Sequence, residues 1–302
     1  MRRYAVWSFV VLLAACAPQE QQQQAGGGDG GDESAAPSCE TDALNLLTAG
    51  QLTVGTDNPA YPPWFGGGSP KGSSWEINDP STGEGFESAV AYAVAEELGF
   101  TEDQVAWVEV PFNQSFKPGP KDFDLFINQV SYAPKRDQAV DFSEAYYEVN
   151  QALVAVEGSP ITEATSVADL TGYKLGAPVG TTSFDYVEQN IQPEEEPAVY
   201  DTLNDSVTAL NNGQVDGIVV DLPTGFYLAD PFVQEVEDGV IVGQFATVGS
   251  QEYFGMVFED GNTLVECVDQ ALQTLKDDGT LAAIQQEWLE EKTNVGEAPV
   301  LE

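Results

Sequence analysis

The run "NQVSYAPKRDQAVDF" holds Arg136, the chain's one arginine apart from Arg2 and Arg3, in a sequence with 10 Lys and Arg against 50 Asp and Glu. A planar guanidinium grips a carboxylate or phosphate through two parallel hydrogen bonds, a fork that a lysine ammonium cannot reproduce. The competing role is a tie to Asp137, Asp141 or Glu144, all close along the chain. Just before Arg136, Asn128, Gln129 and Ser131 offer amide and hydroxyl groups at a strand end. In "VGTTS", Gly180 suits a turn and Thr181, Thr182 and Ser183 the start of a helix, where free amides and hydroxyls either receive an anionic oxygen or serve as an ordinary cap. Asp221 ends "GIVVD", so its carboxylate either receives an ammonium group or caps the helix after Pro223. Arg136 and Asp221 together would hold the two ends of a zwitterion, each ligand charge offsetting the water its anchor loses. Tyr61, Trp64 and Phe112 present flat faces that sandwich a ligand side chain, hold a cationic one face-on, or belong to the core. Tyr61 and Trp64 lie in a Gly- and Pro-rich loop that is hard to bury completely, which favours the ligand role for them.

These groups need elements that bring them together. "QLTVGTDN" reads as a strand feeding the long turn-rich stretch "PAYPPWFGGGSPKGSSWE". "GFESAVAYAVAEELGF" has helical periodicity, with Phe86, Val90, Val94 and Leu98 on one face. "VAWVEV" and "FDLFINQV" read as strands, and "APKRDQAVDF" as a short helix or turn. A second series opens at "NQALVAVEG" and runs through a strand from Lys174 to Pro178, the Gly-Thr-Thr turn and its helix, then a helix stopped by Gly213, a strand from Gly217 to Val220 and a helix after Pro223. "TLVECVDQALQTLKDDGTLAAIQQEWLEE" reads as two helices divided by Gly279, and "NVGEAPVLE" offers little to bury. Alternating strands and helices predict an α/β chain of two lobes, with functional groups at the C-terminal strand ends facing a shared cleft.

The N-terminus reads as an export signal: Arg2 and Arg3, a short apolar run, and small residues before Cys16. The run is too short to span a bilayer. "LAAC" resembles the cleavage box of bacterial lipoproteins, which implies a signal peptide over 1–15, cleavage before Cys16 and acylation of its sulfur; a plain secretory signal is the alternative. Residues 17–38 contain almost nothing to bury and read as a flexible tether. The formal charge of −40 becomes −42 once Arg2 and Arg3 are removed, since no acid precedes Cys16. Such a surface repels nucleic acid and anionic lipid headgroups. Cys39 and Cys267 are expected to pair outside the cytoplasm, against the alternative of two buried thiols. With no His and two remote Cys, no metal site is expected.

The ordered series "LTVGTDNPAYPPW", "GFESAVAYAVAEELG", "FDLFINQVSYAPKRDQAVDFSEAYYEVNQALV", "LGAPVGTTS", "VDGIVVD" and "LKDDGTLAAIQQEW" resembles the polar amino-acid-binding proteins of bacterial ABC importers, solute-binding family 3, over residues 45 to 291. The resemblance implies a two-lobed α/β fold of the periplasmic-binding-protein type, its lobes joined by a hinge of two crossing strands, with 39–150 plus 248–302 as the first lobe and 151–247 as the second. It further implies that Arg136 clamps an α-carboxylate, that Thr182 assists from the other lobe, next to the candidate Thr181, and that Asp221 receives the α-ammonium. Ser131 and the loop of Asn128 and Gln129 would contact the ligand backbone, and Tyr61 and Phe112 would line the side-chain pocket with Trp64 beside them. Where the family often has small hydroxyl residues and a "TxER" run, this chain has "NQVSYAPKR", and "GGGSPKGSSWEINDPSTG" is an insertion beside Tyr61. The backbone clamp is kept; the ligand's side chain stays open.

The function this implies is capture of a free amino acid or similar small zwitterion outside the cell and delivery to an ABC permease, by a monomer without cofactor, held to the membrane through Cys16. A dehydratase-like enzyme on the same fold is one alternative, against which stands the absence of His for acid–base work. A ligand-sensing module is the other; sensors of this fold usually carry a membrane span or a signalling domain as well.

Overall fold

The computed structural model describes residues 38–230, 233, 235–291 and 298–302. The expected signal peptide, Cys16 and nearly all of the expected tether lie outside the described residues. In chain order the strands are β1 (Leu52–Thr56), β2 (Val105–Glu109), β3 (Leu125–Phe126), β4 (Val140–Phe142), β5 (Tyr147–Val149), β6 (Gln151–Val156), β7 (Leu175–Pro178), β8 (Ala198–Tyr200), β9 (Gly217–Asp221), β10 (Gly239–Phe245), β11 (Glu252–Phe254), β12 (Val257–Glu259) and β13 (Val300–Leu301). The α-helices are α1 (Phe86–Glu97), α2 (Phe112–Ser115), α3 (Thr182–Tyr186), α4 (Leu203–Asn211), α5 (Leu222–Leu228), α6 (Leu264–Asp277) and α7 (Thr280–Gln285).

Two sheets make two lobes. The first has the order β2-β1-β3-β12-β4, with β1 parallel to both β2 and β3. Parallel neighbours need a crossover, and α1 supplies it between β1 and β2. Its four-residue stripe Phe86, Val90, Val94 and Leu98 is buried as its periodicity predicts, in a core shared with α6 and α7. The second sheet runs β13-β10-β6-β9-β7-β8. Its central strands are apolar on both faces: Leu153, Ala155 and Val219 belong to one cluster, while Val154, Ile218 and Val220 belong to another. That is the period-two alternation of a sheet covered on both sides.

The chain crosses between lobes twice, from β5 into β6 and from β10 into β11, and β5 pairs antiparallel with β11. Asn150 ties the crossings together: its Nδ2 donates to Gln244 Oε1 at 2.9 Å, and its Oδ1 accepts from Thr247 and Gln251 at 3.4 Å.

Three sequence expectations are corrected here. "FDLFINQV" is a strand only over Leu125–Phe126. Asp124 turns its carboxylate to the amides of Leu47 and Thr53, each at 2.7 Å, and Gln129 takes a left-handed φ of 46°, so the ladder cannot continue. The C-terminal stretch does bury side chains: β13 adds to the edge of β10, Gln244 N donates to Pro299 O at 2.8 Å, and Leu301 is buried. Its pairing therefore puts Val300–Leu301 on the second sheet, not in the first lobe where 248–302 was expected as a whole.

The third concerns Trp64. The first amides of α1 lack intrahelical partners, and loop carbonyls supply them: Phe86 N donates to Pro63 O at 3.0 Å and Glu87 N to Trp64 O at 2.8 Å. Gly85 permits this approach, because a Cβ there would sit 2.4 Å from Phe65 Cα. The loop is thereby drawn inward. Trp64 is 1% exposed and meets Phe86, Tyr147 and Phe254 edge-on at 5.5–5.8 Å.

Cys39 and Cys267 form a disulfide with a Cα separation of 5.4 Å, joining the start of the fold to α6.

Candidate functional site

A cavity of about 530 Å³ lies between the lobes, at the C-terminal ends of β1, β2, β7 and β9. Of the predicted site residues, Tyr61, Phe112, Asn128, Gln129, Ser131, Arg136, Thr181, Thr182 and Asp221 all line it. Trp64 does not; it reaches the wall only by donating its indole N–H to Thr224 Oγ1 at 3.3 Å.

Arg136 is 8% exposed. Its Nη1 donates to Ser131 O at 2.6 Å, and its Nη2 crosses the cleft to Gly180 O at 2.7 Å. The guanidinium carbon stands 4.6 Å from the centre of the Phe116 ring and 5.6 Å from that of Phe112, a cation–π shelf. Phe112 therefore serves the guanidinium as well as the cavity. Burial works against the charge, while Asp221, Asp185 and Glu252 favour it; with so high an ordinary pKa the group stays charged. The competing ties are taken elsewhere. Asp137 accepts from Tyr132, Asp141 from the amides of Gly261 and Asn262, and Glu144 pairs with Lys276 at 3.3 Å, the one ion pair among the described residues. A guanidinium carries five N–H donors, so three remain after the two carbonyl bonds.

The Gly-Thr-Thr turn serves in both ways. Gly180 has a φ of 74° and approaches the first lobe so closely that a Cβ would lie 3.0 Å from Asn113 Oδ1. Thr181 Oγ1 accepts from Phe184 N at 3.1 Å as the cap of α3. Thr182 instead reaches across to Ser131 Oγ at 3.3 Å. On the first lobe, Thr56 Oγ1 donates to Asn128 Oδ1 at 3.0 Å. Gln129 is anchored from below by the fully buried Glu87, which accepts its main-chain N–H at 2.6 Å as well as its side-chain amide and the Tyr146 hydroxyl. Burial pushes Glu87 up to about 7, against the hydrogen bonds from Tyr146 and Gln129.

Asp221 sits at the cap position of α5 but makes no side-chain cap bond. Its Oδ1 accepts from Gln151 Nε2 at 2.6 Å. Gln151, at the start of the crossing strand β6, also donates to Glu252 Oε2 at 3.1 Å on the other crossing and accepts from Ser183 Oγ at 2.6 Å. Burial above all, and then Glu252, push Asp221 up to about 8, opposed by the Gln151 bond and Arg136. The cleft thus holds an acid short of positive charge and a guanidinium not ion-paired to it.

Sequence reasoning missed the other wall. Asp57 follows β1 and Glu109 ends β2, in register with Thr56 on the neighbouring strand. Burial raises Asp57 above the usual carboxylate range, the amides of Asn58 and Phe112 oppose this, and Glu109 adds to the rise. The signal was present: Asp57 in "GTDN" is a carboxylate at a strand end, as Asp221 is in "GIVVD". Tyr61 lines the same cavity, pushed up to about 12 by burial and Glu235, with its ring 6.2 Å from Tyr227 of the second lobe.

Comparison with known proteins gives one answer. The ABC transporter glutamine-binding protein GlnH of Bacillus subtilis (strain 168) is 26% identical over 219 residues, 71% of this chain and 77% of that protein. The L-cystine-binding protein TcyJ of Escherichia coli (strain K12) is 28% identical over 246 residues, 79% and 82% of the two chains. An ancestral arginine-binding protein solved with arginine matches 79% of this chain and 98% of its own at 27% identity and a TM-score of 0.62. The fold is that of two-lobed, strand-linked α/β proteins of the periplasmic-binding type. The model of bacterial extracellular solute-binding proteins, family 3, matches residues 52–291, and the chain belongs to that family.

Proposed function

We propose that this protein captures an α-amino acid outside the cytoplasm and hands it to an ABC permease, as a binding protein and not an enzyme. The observation that carries the reading is the pair Arg136 and Asp221, which line one cavity between two lobes without pairing with each other. An α-amino acid supplies the missing partner of each: its carboxylate takes N–H groups of Arg136 with help from Thr182, Thr181 and Ser131, and its ammonium lies against Asp221. Asn128 and Gln129 flank the ligand backbone. Burying charged anchors is unfavourable unless each meets an opposite charge, so the zwitterion is selected over either half alone. Closing the lobes excludes water and strengthens both contacts.

The side-chain end supports a cationic ligand. Asp57 and Glu109 line it with no Lys among the cavity residues, and Tyr61 and Phe112 add ring faces suited to a guanidinium or ammonium. Several relatives are named for arginine, others for glutamine or cystine.

The finer assignments belong to the same proposal. Cys16 carries the lipid that holds the protein at the membrane, residues 17–38 are the tether, and the protein acts as a monomer with lobes divided near 150 and 248. A thermal-shift screen over the common amino acids tests the capture role. A ligand at 100 times its Kd raises stability by about 2.7 kcal/mol, and the largest shift is expected for L-arginine or L-lysine. No shift with any amino acid would refute it.

A further inference from the structure

The insertion 66–83 contributes no residue to the cavity wall, yet it is fastened directly behind it. Asn78 is buried and clamps the insertion to the Tyr61 loop, accepting from Gly68 N at 3.0 Å and donating to Ala60 O at 2.8 Å. Trp75 packs inward, and its carbonyl accepts from Ser69 Oγ. Between these anchors the insertion presents two main-chain groups to one wall residue, Asn58: Ser74 O accepts from Asn58 Nδ2 at 3.0 Å, and Glu76 N donates to Asn58 Oδ1 at 3.0 Å.

An amide side chain has one accepting and one donating end, and a flip exchanges them. A carbonyl facing the NH2 and an N–H facing the oxygen allow one orientation only. In that orientation the second N–H of Asn58 Nδ2 points to Glu109 Oε2 at 3.1 Å, while the main-chain N–H of Asn58 donates to Asp57 Oδ1 at 2.8 Å. One residue therefore holds both carboxylates of the side-chain end. Flipped, it would turn its oxygen toward Glu109, and like partial charges would drive the carboxylate away.

Resting on the cationic reading above, we propose that the insertion 66–83 is a specificity brace: by fixing the Asn58 amide it keeps Glu109 beside Asp57, so that the two carboxylates form a receptor for the ligand's side-chain cation. Asn58 and the insertion are positioning elements; the carboxylates make the contact.

The test is calorimetric titration of L-arginine and L-glutamine into the wild-type protein, Asn58→Ala, Asn78→Ala and the double variant, with thermal melts to establish folding. Asn78→Ala loosens the insertion from outside the cavity and decides the matter if Asn58→Ala fails to fold. The proposal expects wild-type preference for arginine, a fall in the arginine-to-glutamine affinity ratio of about fivefold or more in each single variant (about 1 kcal/mol), and no further fall in the double, because both act through one path. Preference for arginine with an unchanged ratio in the variants overturns the brace and leaves the cationic reading standing. Wild-type preference for glutamine, or binding of neither, overturns both.

Discussion

Arg136 was legible as a residue because its scarcity posed a question, and the competing acids turned out to be engaged elsewhere. Replacing it with lysine leaves a positive charge but removes the fork and one of the two carbonyl ties to Ser131 and Gly180. Arg136→Lys is expected to weaken amino-acid binding at least tenfold, about 1.4 kcal/mol; equal affinity by calorimetry would remove Arg136 from the clamp. Asp221 makes a prediction in pH. Its folded pKa is raised, so its contribution to stability without ligand is full below the ordinary carboxylate pKa and is lost as pH rises through about 8. A bound ammonium favours the carboxylate, so binding at pH 7 should release a proton, and affinity should climb by up to about tenfold per pH unit between pH 6 and 8. Glu252→Gln removes the largest charge opposing ionisation and should flatten that climb. Calorimetry in two buffers of different ionisation heat measures the proton count, and a count of zero contradicts the assignment. What the sequence hid at this scale was Trp64, because its burial depends on which carbonyls cap α1, a choice made between segments and not within one.

Among the elements, those with a strong period were readable in advance: α1 from its four-residue stripe, β6 and β9 from short apolar runs, the break between α6 and α7 from Gly279 at φ 83°. The polar element 127–136 was not, since its path is set by side chains distant in sequence: Asp124 binding the 47 and 53 amides, Glu87 binding Gln129. The edge strand β13 carries two residues and no periodic signal, and only the open flank of β10 makes it a strand. The disulfide between Cys39 and α6 closes a separation of 228 residues. Loop closure of that order is worth about 2–5 kcal/mol, so Cys39→Ser with Cys267→Ser should lower the melting temperature by several degrees. An unchanged melt would show that the hydrophobic contacts around Cys267 suffice alone.

Across the whole molecule, two sheets face one cleft, and bonds from Arg136 to Gly180, Thr182 to Ser131 and Trp64 to Thr224 join the lobes over it. The lobed plan could be read from alternating strands and helices, and Asp57 as a strand-end carboxylate, but not that Glu109 joins it in one wall, because the two come together only when β1 and β2 lie side by side. The charge of −40 sets a further expectation. Salt shortens the Debye length from about 10 Å at 0.1 M to about 3 Å at 1 M, so the melting temperature should rise over that range, by roughly 2–4 °C per kcal/mol of relieved repulsion; a flat profile would mean that the acids are too well dispersed to repel. The central claim is that an α-amino acid is held by its own backbone charges. It is tested most directly by calorimetric titration with L-arginine and with agmatine, which keeps the side chain and lacks the carboxylate. L-Arginine should bind at one site at least about tenfold more tightly than agmatine, and binding of agmatine as tight as that of L-arginine would contradict it.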